Sequence, residues 1–189
     1  MHFTRSHKLT ANTTRNVTVH IFQIGCRGLG RLGFEKFTDK EKYFPEDLVF
    51  EGVCEKDFEH RENAESFAEA ADVELEFYNS VNELYDAAKR VEGEVLIYDA
   101  GPVKRHSNHI QRSLSNDFHH LSEKPPSLDR SEHIEERKLA AEHDVHYKVD
   151  FIERENPVIK KMVEILEDEK INDIKIFRQS STGVQRLLQ

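Results

Sequence analysis

Apolar runs and helical spacings alternate from residue 17 to residue 150, and this alternation restricts the fold more than any other feature. Val17 to Ile24 is a short apolar run followed by Gly30, Gly33, Phe34 and Phe37, spaced i, i+3, i+4, i+7. That is a strand covered on both faces, a turn and a helix. Leu48 to Cys54 reads as the next strand, and Ala64, Phe67, Ala68 and Ala71 mark one face of the next helix. Leu75 to Tyr78, Val95 to Tyr98, Phe118 to Leu121 and Val145 to Val149 continue the strands. Helices lie between them, one carrying Val81, Leu84, Tyr85 and Ala88, one running through Ile110 and Leu114, and one from about Leu128 to His143. Successive strands joined by helices need crossover connections, which place helices on both sides of a mainly parallel sheet. The predicted fold class is therefore α/β, a doubly wound Rossmann sheet.

Three segments follow from the same reading. Residues 1–16, MHFTRSHKLTANTTRN, form a polar leader without structure of its own; residues 17–150 form the sheet domain; residues 151–189 open a second domain. In the last segment Ile159, Met162, Val163 and Leu166 predict an amphipathic helix, and Ile174 to Phe177 predict a strand. A lone terminal strand leaves its edges unpaired. The expectation is thus a second α/β domain, of which this chain holds only the beginning. The alternative is a complete short chain whose last strand pairs with another subunit. Thr38 to Asp47, TDKEKYFPED, is long for a helix-to-strand link and reads as an insertion.

With 37% hydrophobic and 33% charged residues, the chain of 189 residues has a polar but foldable balance. A net charge of -9 disfavours nucleic acid and anionic lipid as partners, although no acidic residue precedes Glu35. No apolar run reaches membrane-spanning length and no secretory signal opens the chain, so a cytoplasmic location is expected. Cys26 and Cys54 make no CxxC pair and predict buried thiols at strand ends, not a disulfide or a zinc site. His106/His109 and His143/His146, each three apart, have metal-ligand spacing without a completing constellation and are expected on solvated faces. No metal is predicted.

The loop IGCRGLGRLG fits a dinucleotide cradle in two registers. Gly28-x-Gly30-x-x-Gly33 is formally complete but starts three residues late. Gly25-x-Arg27-x-x-Gly30 starts where the strand ends and is preferred, because the tight turn must follow the strand directly. Arg27 then opposes close backbone approach but places a guanidinium beside the phosphates. Gly25, Arg27, Gly28, Leu29 and Gly30 are accordingly expected to hold the pyrophosphate at a helix N-terminus. Glu55, with Lys56 beside it, ends the second strand, where a carboxylate accepts hydrogen bonds from the adenosine ribose. The carboxylate favours NAD over NADP; Lys56 weakens the preference.

From Ala100 the chain reads AGPVKRHSNHIQRSLSNDFHHLSEKPPSLD, which resembles the Gfo/Idh/MocA oxidoreductases, the group of glucose-fructose oxidoreductase and inositol dehydrogenase. Pro102 with His106 matches the family's Pro and His after the fourth strand, and Glu123-Lys124-Pro125 matches its Glu-Lys-Pro after the fifth. Arg154-Glu155-Asn156-Pro157 resembles the Arg before Asn-Pro that leads into the family's substrate domain. The resemblance spans roughly Val17 to Phe177 and departs at Arg27, in place of a glycine, and at Asn172. It implies an NAD(P)-dependent dehydrogenase transferring hydride between the nicotinamide and a sugar, polyol or related hydroxylated substrate. Lys124 would be the catalytic group that hydrogen-bonds the substrate hydroxyl. Ala100, Gly101, Pro102, His106, Glu123 and Arg154 would join the cofactor-binding set, with His106 and Glu123 lining the nicotinamide ribose. The family's Asp-xxx-His partners would lie beyond Gln189, so this chain alone is expected to be inactive, and the intact protein to be a homo-oligomer. Two other functions remain open, a non-catalytic dinucleotide-binding regulator and a glycoside hydrolase using NAD transiently.

Overall fold

The computed structural model describes residues 18–39 and 47–151, six residues between 156 and 164, and the backbone of residues 177–180 and 183–186. The chain divides into two compact units, Met1–Asp150 and Phe151–Gln189. The whole predicted leader, residues 1–16, together with Val17, residues 40–46 of the predicted insertion, and Arg154, lie outside the described residues.

In the first unit, β1 (Val19–Ile24), α1 (Leu29–Thr38), β2 (Leu48–Cys54), α2 (Phe58–Ala70), β3 (Glu76–Tyr78), α3 (Val81–Ala88), β4 (Glu94–Asp99), α4 (Val103–Leu114), β5 (His119–Glu123), α5 (Arg130–Glu142) and β6 (Tyr147–Asp150) alternate as the sequence predicts. The six strands form one sheet in the order β3-β2-β1-β4-β5-β6, every pairing parallel. This is the doubly wound Rossmann arrangement. Strand order reverses between β1 and β4, and the two chain turns that leave these neighbours open a crevice at the carboxyl edge.

Alternation along each strand divides the core. Ile21, Phe50 and Val53 bury one face against Phe34 of α1 and Ala64 and Ala68 of α2. Phe22, Ile24 and Ile97 bury the other against Leu84 and Tyr85 of α3. Ile110 and Leu114 of α4 pack with Ala140 of α5. Each large apolar side chain fully buried in this way stabilises the fold by about 1.5–3 kcal/mol. β1 contributes to both faces and is central, which explains its nearly continuous apolar run.

The helix predicted from Ile159 to Leu166 is represented in the second unit by helical backbone at Pro157, Lys160, Lys161, Val163 and Glu164. Of the strand predicted at Ile174 to Phe177, only Phe177 is among the described residues, and there β7 (Phe177–Ser180) begins. It pairs antiparallel with β8 (Gly183–Arg186), a partner the sequence pattern did not reveal. No helix among the described residues is long and apolar enough to cross a membrane.

Candidate functional site

The end of β1 is built by residues that leave it no choice of path. Gly25 follows Ile24 directly with φ +78°, and a Cβ there would lie 2.9 Å from the Ala100 carbonyl oxygen. A Cβ on Gly30 would lie 2.5 Å from Gly25 O and 2.8 Å from the Ala100 Cβ. Both contacts are closer than side chains tolerate, so these two glycines let the start of α1 rest on the turns after β1 and β4. This is the register beginning at Gly25. Buried Gln23 pins the loop from below, its Nε2 donating to Gly25 O at 2.8 Å and to Gly30 O at 2.7 Å.

Glu55 braces the same loop from β2. Its Oε2 accepts from the Cys26 N–H at 3.0 Å and its Oε1 from the Asp57 N–H at 2.9 Å. Burial, reinforced by the Glu55 charge, pushes the Cys26 thiol up to about 12, so it stays protonated and is no nucleophile. Cys54 is likewise buried, and burial pushes its thiol up to about 11. Both cysteines are the buried thiols that the sequence predicts.

Helix capping separates the helices at the crevice from the others. Asp57, Ser80 and Asp129 cap α2, α3 and α5, and each of these helices has a glutamate in its first turn. α1 and α4 begin at Gly28 and Pro102 with no side-chain cap and no acid in the first turn. One first-turn amide of each is taken by a backbone carbonyl, Gly30 N–H by Arg27 O at 3.0 Å and Arg105 N–H by Pro102 O at 2.7 Å; the positive dipole ends that remain uncapped favour an anion.

A cleft of about 710 Å³ lies at this edge. It is lined by Gly25 and Arg27 from the β1 turn, Glu55 and Lys56 from β2, and Ala100, Gly101 and Pro102 from β4. Seven of the predicted cofactor residues therefore share one cavity. Gly28 and Leu29 are exposed at the start of α1, and Gly30 is buried beneath it.

The remaining predicted residues sit elsewhere on the edge. Lys124 is exposed at the end of β5, the second strand from β1, and does not line the cleft. Glu123 is buried and accepts from the Tyr98 hydroxyl at 2.9 Å. His106 is 1% exposed, its Nδ1 2.9 Å from Pro125 O and its Nε2 2.8 Å from Gly101 O. It ties the turn after Lys124 to the turn after β4 instead of facing a ligand.

The expectation that His106 and His109 occupy a solvated face is corrected. Both are buried, because α4 turns them toward a carboxylate, Asp99, at the end of β4. Asp99 Oδ1 accepts from the Gly101 N–H at 2.9 Å, and Oδ2 accepts from His109 Nδ1 at 2.9 Å. Burial acts to raise the Asp99 pKa, but the His109 hydrogen bond and the electrostatic influence of the His109, His120 and His106 rings around it hold it below the usual value. His120 completes the group, 2.8 Å from Ser113 Oγ, and burial pushes it down to about 3. Among the described residues no three His, Cys, Asp or Glu side chains gather as a metal site. Sequence reasoning missed Gln23 and Asp99, and with them the buried place of His109. A glutamine and an aspartate inside runs that otherwise read as buried strand were the available signals.

Residues 22–151 match the model of the GFO_IDH_MocA oxidoreductase family, described as an NAD-binding Rossmann fold. The chain belongs to this family. No curated protein matches it by sequence. Solved structures similar to it include scyllo-inositol dehydrogenase from Lactobacillus casei with bound NAD(H) and scyllo-inositol, with TM-score 0.65 and 19% identity, covering 85% of this chain and 44% of that one. The WlbA (WbpB) dehydrogenase from Thermus thermophilus in complex with NAD and UDP-GlcNAcA has TM-score 0.67 and 18% identity, covering 82% and 48%. A 3-ketoreductase from Actinomadura kijaniata in complex with TDP-benzene and NADP has TM-score 0.63 and 18% identity, covering 85% and 45%. At these identities the likeness is one of fold. The chain spans less than half the length of each of these structures.

Proposed function

We propose that this Gfo/Idh/MocA chain is the nucleotide-binding part of an NAD(P)-dependent dehydrogenase that oxidises or reduces a hydroxyl-bearing carbon of a sugar, polyol or related substrate. The observation that carries this reading is the convergence of Gly25, Glu55 and Gly101, from three strand ends, on one cleft bordered by two uncapped helix N-termini. The residues fit a dinucleotide: Gly25 and Gly30 give the backbone its close approach, and Arg27 and Lys56 add positive charge. In this reading the amides opening α1 and the Arg27 guanidinium hold the diphosphate. Glu55, already fixed by two backbone donors, receives the adenosine ribose hydroxyls with its remaining lone pairs and favours NAD over NADP. The nicotinamide supplies a hydride acceptor or donor. Lys124 hydrogen-bonds the substrate hydroxyl and stabilises the alkoxide that develops as hydride leaves carbon.

The division of the chain at Asp150 supports reading residues 17–150 as the nucleotide domain and 151–189 as the start of a substrate and oligomerisation domain, with Arg154 near the junction. The inositol and nucleotide-sugar ligands of similar structures support the substrate class. A cytoplasmic setting accords with two unpaired buried thiols.

Calorimetric titration with NAD+ and NADP+ tests the proposal. Binding of NAD+ tighter than NADP+ is expected; no binding of either at millimolar concentration overturns it. A second reading, a regulator that binds the dinucleotide without turnover, draws support from His106, whose ring nitrogens both face backbone carbonyls. Lys124→Ala in the full-length protein separates the two: loss of turnover with retained nucleotide binding supports the dehydrogenase, whereas a parent already without turnover supports the regulator.

A further inference from the structure

We propose that His109 is a further nucleotide-contacting residue, its Nε2 accepting a hydrogen bond from a ribose hydroxyl of the bound dinucleotide. The proposal rests on the dinucleotide-binding reading above and adds a group to it.

Geometry places the ring at the cleft. His109 is 6% exposed and lines the cavity beside Gly101, where a Cβ on the glycine would stand 3.9 Å from the imidazole Cε1. Its Nδ1 lies 2.9 Å from Asp99 Oδ2. An ionised carboxylate only accepts, so Nδ1 carries a proton. Nε2 has no hydrogen-bond partner among the described residues, yet it is not among the sealed, unpartnered polar atoms such as His120 Nε2. It opens to the cavity.

The proton that Nδ1 gives to Asp99 fixes the tautomer: in the neutral ring the other nitrogen, Nε2, holds the lone pair. Both His106 ring nitrogens are taken by carbonyl oxygens, and His120 is fully enclosed, so of these three imidazoles only His109 has a nitrogen to offer the cavity. Arg105 and Arg112 on the same helix, and Arg27 and Lys56 from the β1 and β2 turns, line the same cavity and supply the positive charge that a phosphate needs; Glu55 and Asp57 are the acids there. The lone pair on Nε2 recognises a hydroxyl, not a phosphate oxygen. His106 and Glu123, assigned to a ribose by the sequence motif, are turned inward, and His109 presents the acceptor in their stead.

Titration with NADH followed by its fluorescence tests this, using the chain itself and two variants. His109→Asn keeps a donor for Asp99 and removes the Nε2 acceptor; affinity is expected to fall roughly fivefold to tenfold, as for loss of one hydrogen bond. His109→Gln reaches the cavity with a carbonyl acceptor and is expected to restore affinity to within about twofold. Nitrogen-15 NMR of the free protein is expected to show His109 protonated at Nδ1 and bare at Nε2. Wild-type binding that His109→Asn leaves unchanged, a His109→Gln variant as weak as His109→Asn, or a protonated His109 Nε2 overturns this proposal alone. A wild-type chain that binds neither NADH nor NADPH overturns the dinucleotide-binding reading and this one with it.

Discussion

Replacing Gly30 with alanine sets two effects of opposite sign against each other. Gly30 is the second residue of α1, and in an exposed helix Gly→Ala stabilises by about 1 kcal/mol. Here the added methyl would stand 2.5 Å from Gly25 O and 2.8 Å from the Ala100 Cβ, one a backbone atom and the other fixed by its strand. Neither neighbour can swing aside, so the turn after β1 must lift away from α1. Overpacking of this kind costs about 1–3 kcal/mol. Lifting the turn also stretches the two Gln23 amide hydrogen bonds to Gly25 O and Gly30 O, each contributing about 0.5–1.5 kcal/mol. The clash wins, and Gly30→Ala is expected to lose about 2 kcal/mol net, a fall in Tm of roughly 8 °C for a unit of this size. Nucleotide affinity is expected to fall with it, because the same turn is the proposed cradle. Gly28→Ala is the comparison that separates backbone strain from close packing: a Cβ there meets nothing within 4 Å, so only its backbone, at φ +59° and ψ -117°, opposes the change, at about 1–3 kcal/mol. Circular-dichroism melts and NADH titration of both variants check this. A Gly30→Ala protein that melts at or above the wild-type temperature with unchanged affinity refutes the close-approach argument.

Three further outcomes follow from the same geometry. Glu55→Ala removes the acceptor for the Cys26 and Asp57 amides; competitive titration should show weakened NAD+ binding, by about tenfold, and a smaller margin over NADP+. Asp99→Asn removes the buried carboxylate that accepts from the Gly101 amide and from His109, and urea unfolding should show a loss of about 2–3 kcal/mol. His120 is neutral in the fold down to about pH 3 but protonates near pH 6.5 once unfolded, so the unfolded state binds the extra proton between these values. Stability therefore falls as pH drops from about 6.5 toward 3, by up to about 1.4 kcal/mol per pH unit from this group, and His120→Leu should flatten the slope seen in urea titrations at successive pH values.

The sheet was legible because parallel strands buried on both faces advertise themselves. Val95–Tyr98 is apolar on successive residues and Val19–Ile24 is broken only by His20 and Gln23, and no other arrangement buries such runs so economically between helical spacings. Strand boundaries were less so: β5 begins at His119 and reaches Glu123, because its last residues are polar and satisfied only by tertiary partners such as Tyr98. The places of Gly25 and Glu55 on one cavity were readable, since both follow strand ends that the pattern locates. Lys124 was placed at the correct edge, but its distance from the cleft depends on strand order, which periodicity does not encode.

The histidines show why polar residues are the harder part. Sequence spacing gave His106 and His109 a solvated helix face, since an imidazole pair without a visible partner belongs in water. Their partner is Asp99, ten residues upstream of His109 and on a strand, and only the packing of α4 against β4 brings them together. A buried carboxylate demands donors, and here it draws two histidines and the Gly101 amide inward. The same carboxylate thus sets the turn that borders the cleft, fixes the His106 clamp to the Lys124–Pro125 turn, and orients His109 toward the cavity. One polar residue in an apolar strand couples both halves of the ligand edge. Its replacement should therefore disturb nucleotide affinity as well as stability, whereas an equally buried apolar change such as Ile97→Val, worth about 1 kcal/mol, should reduce stability alone.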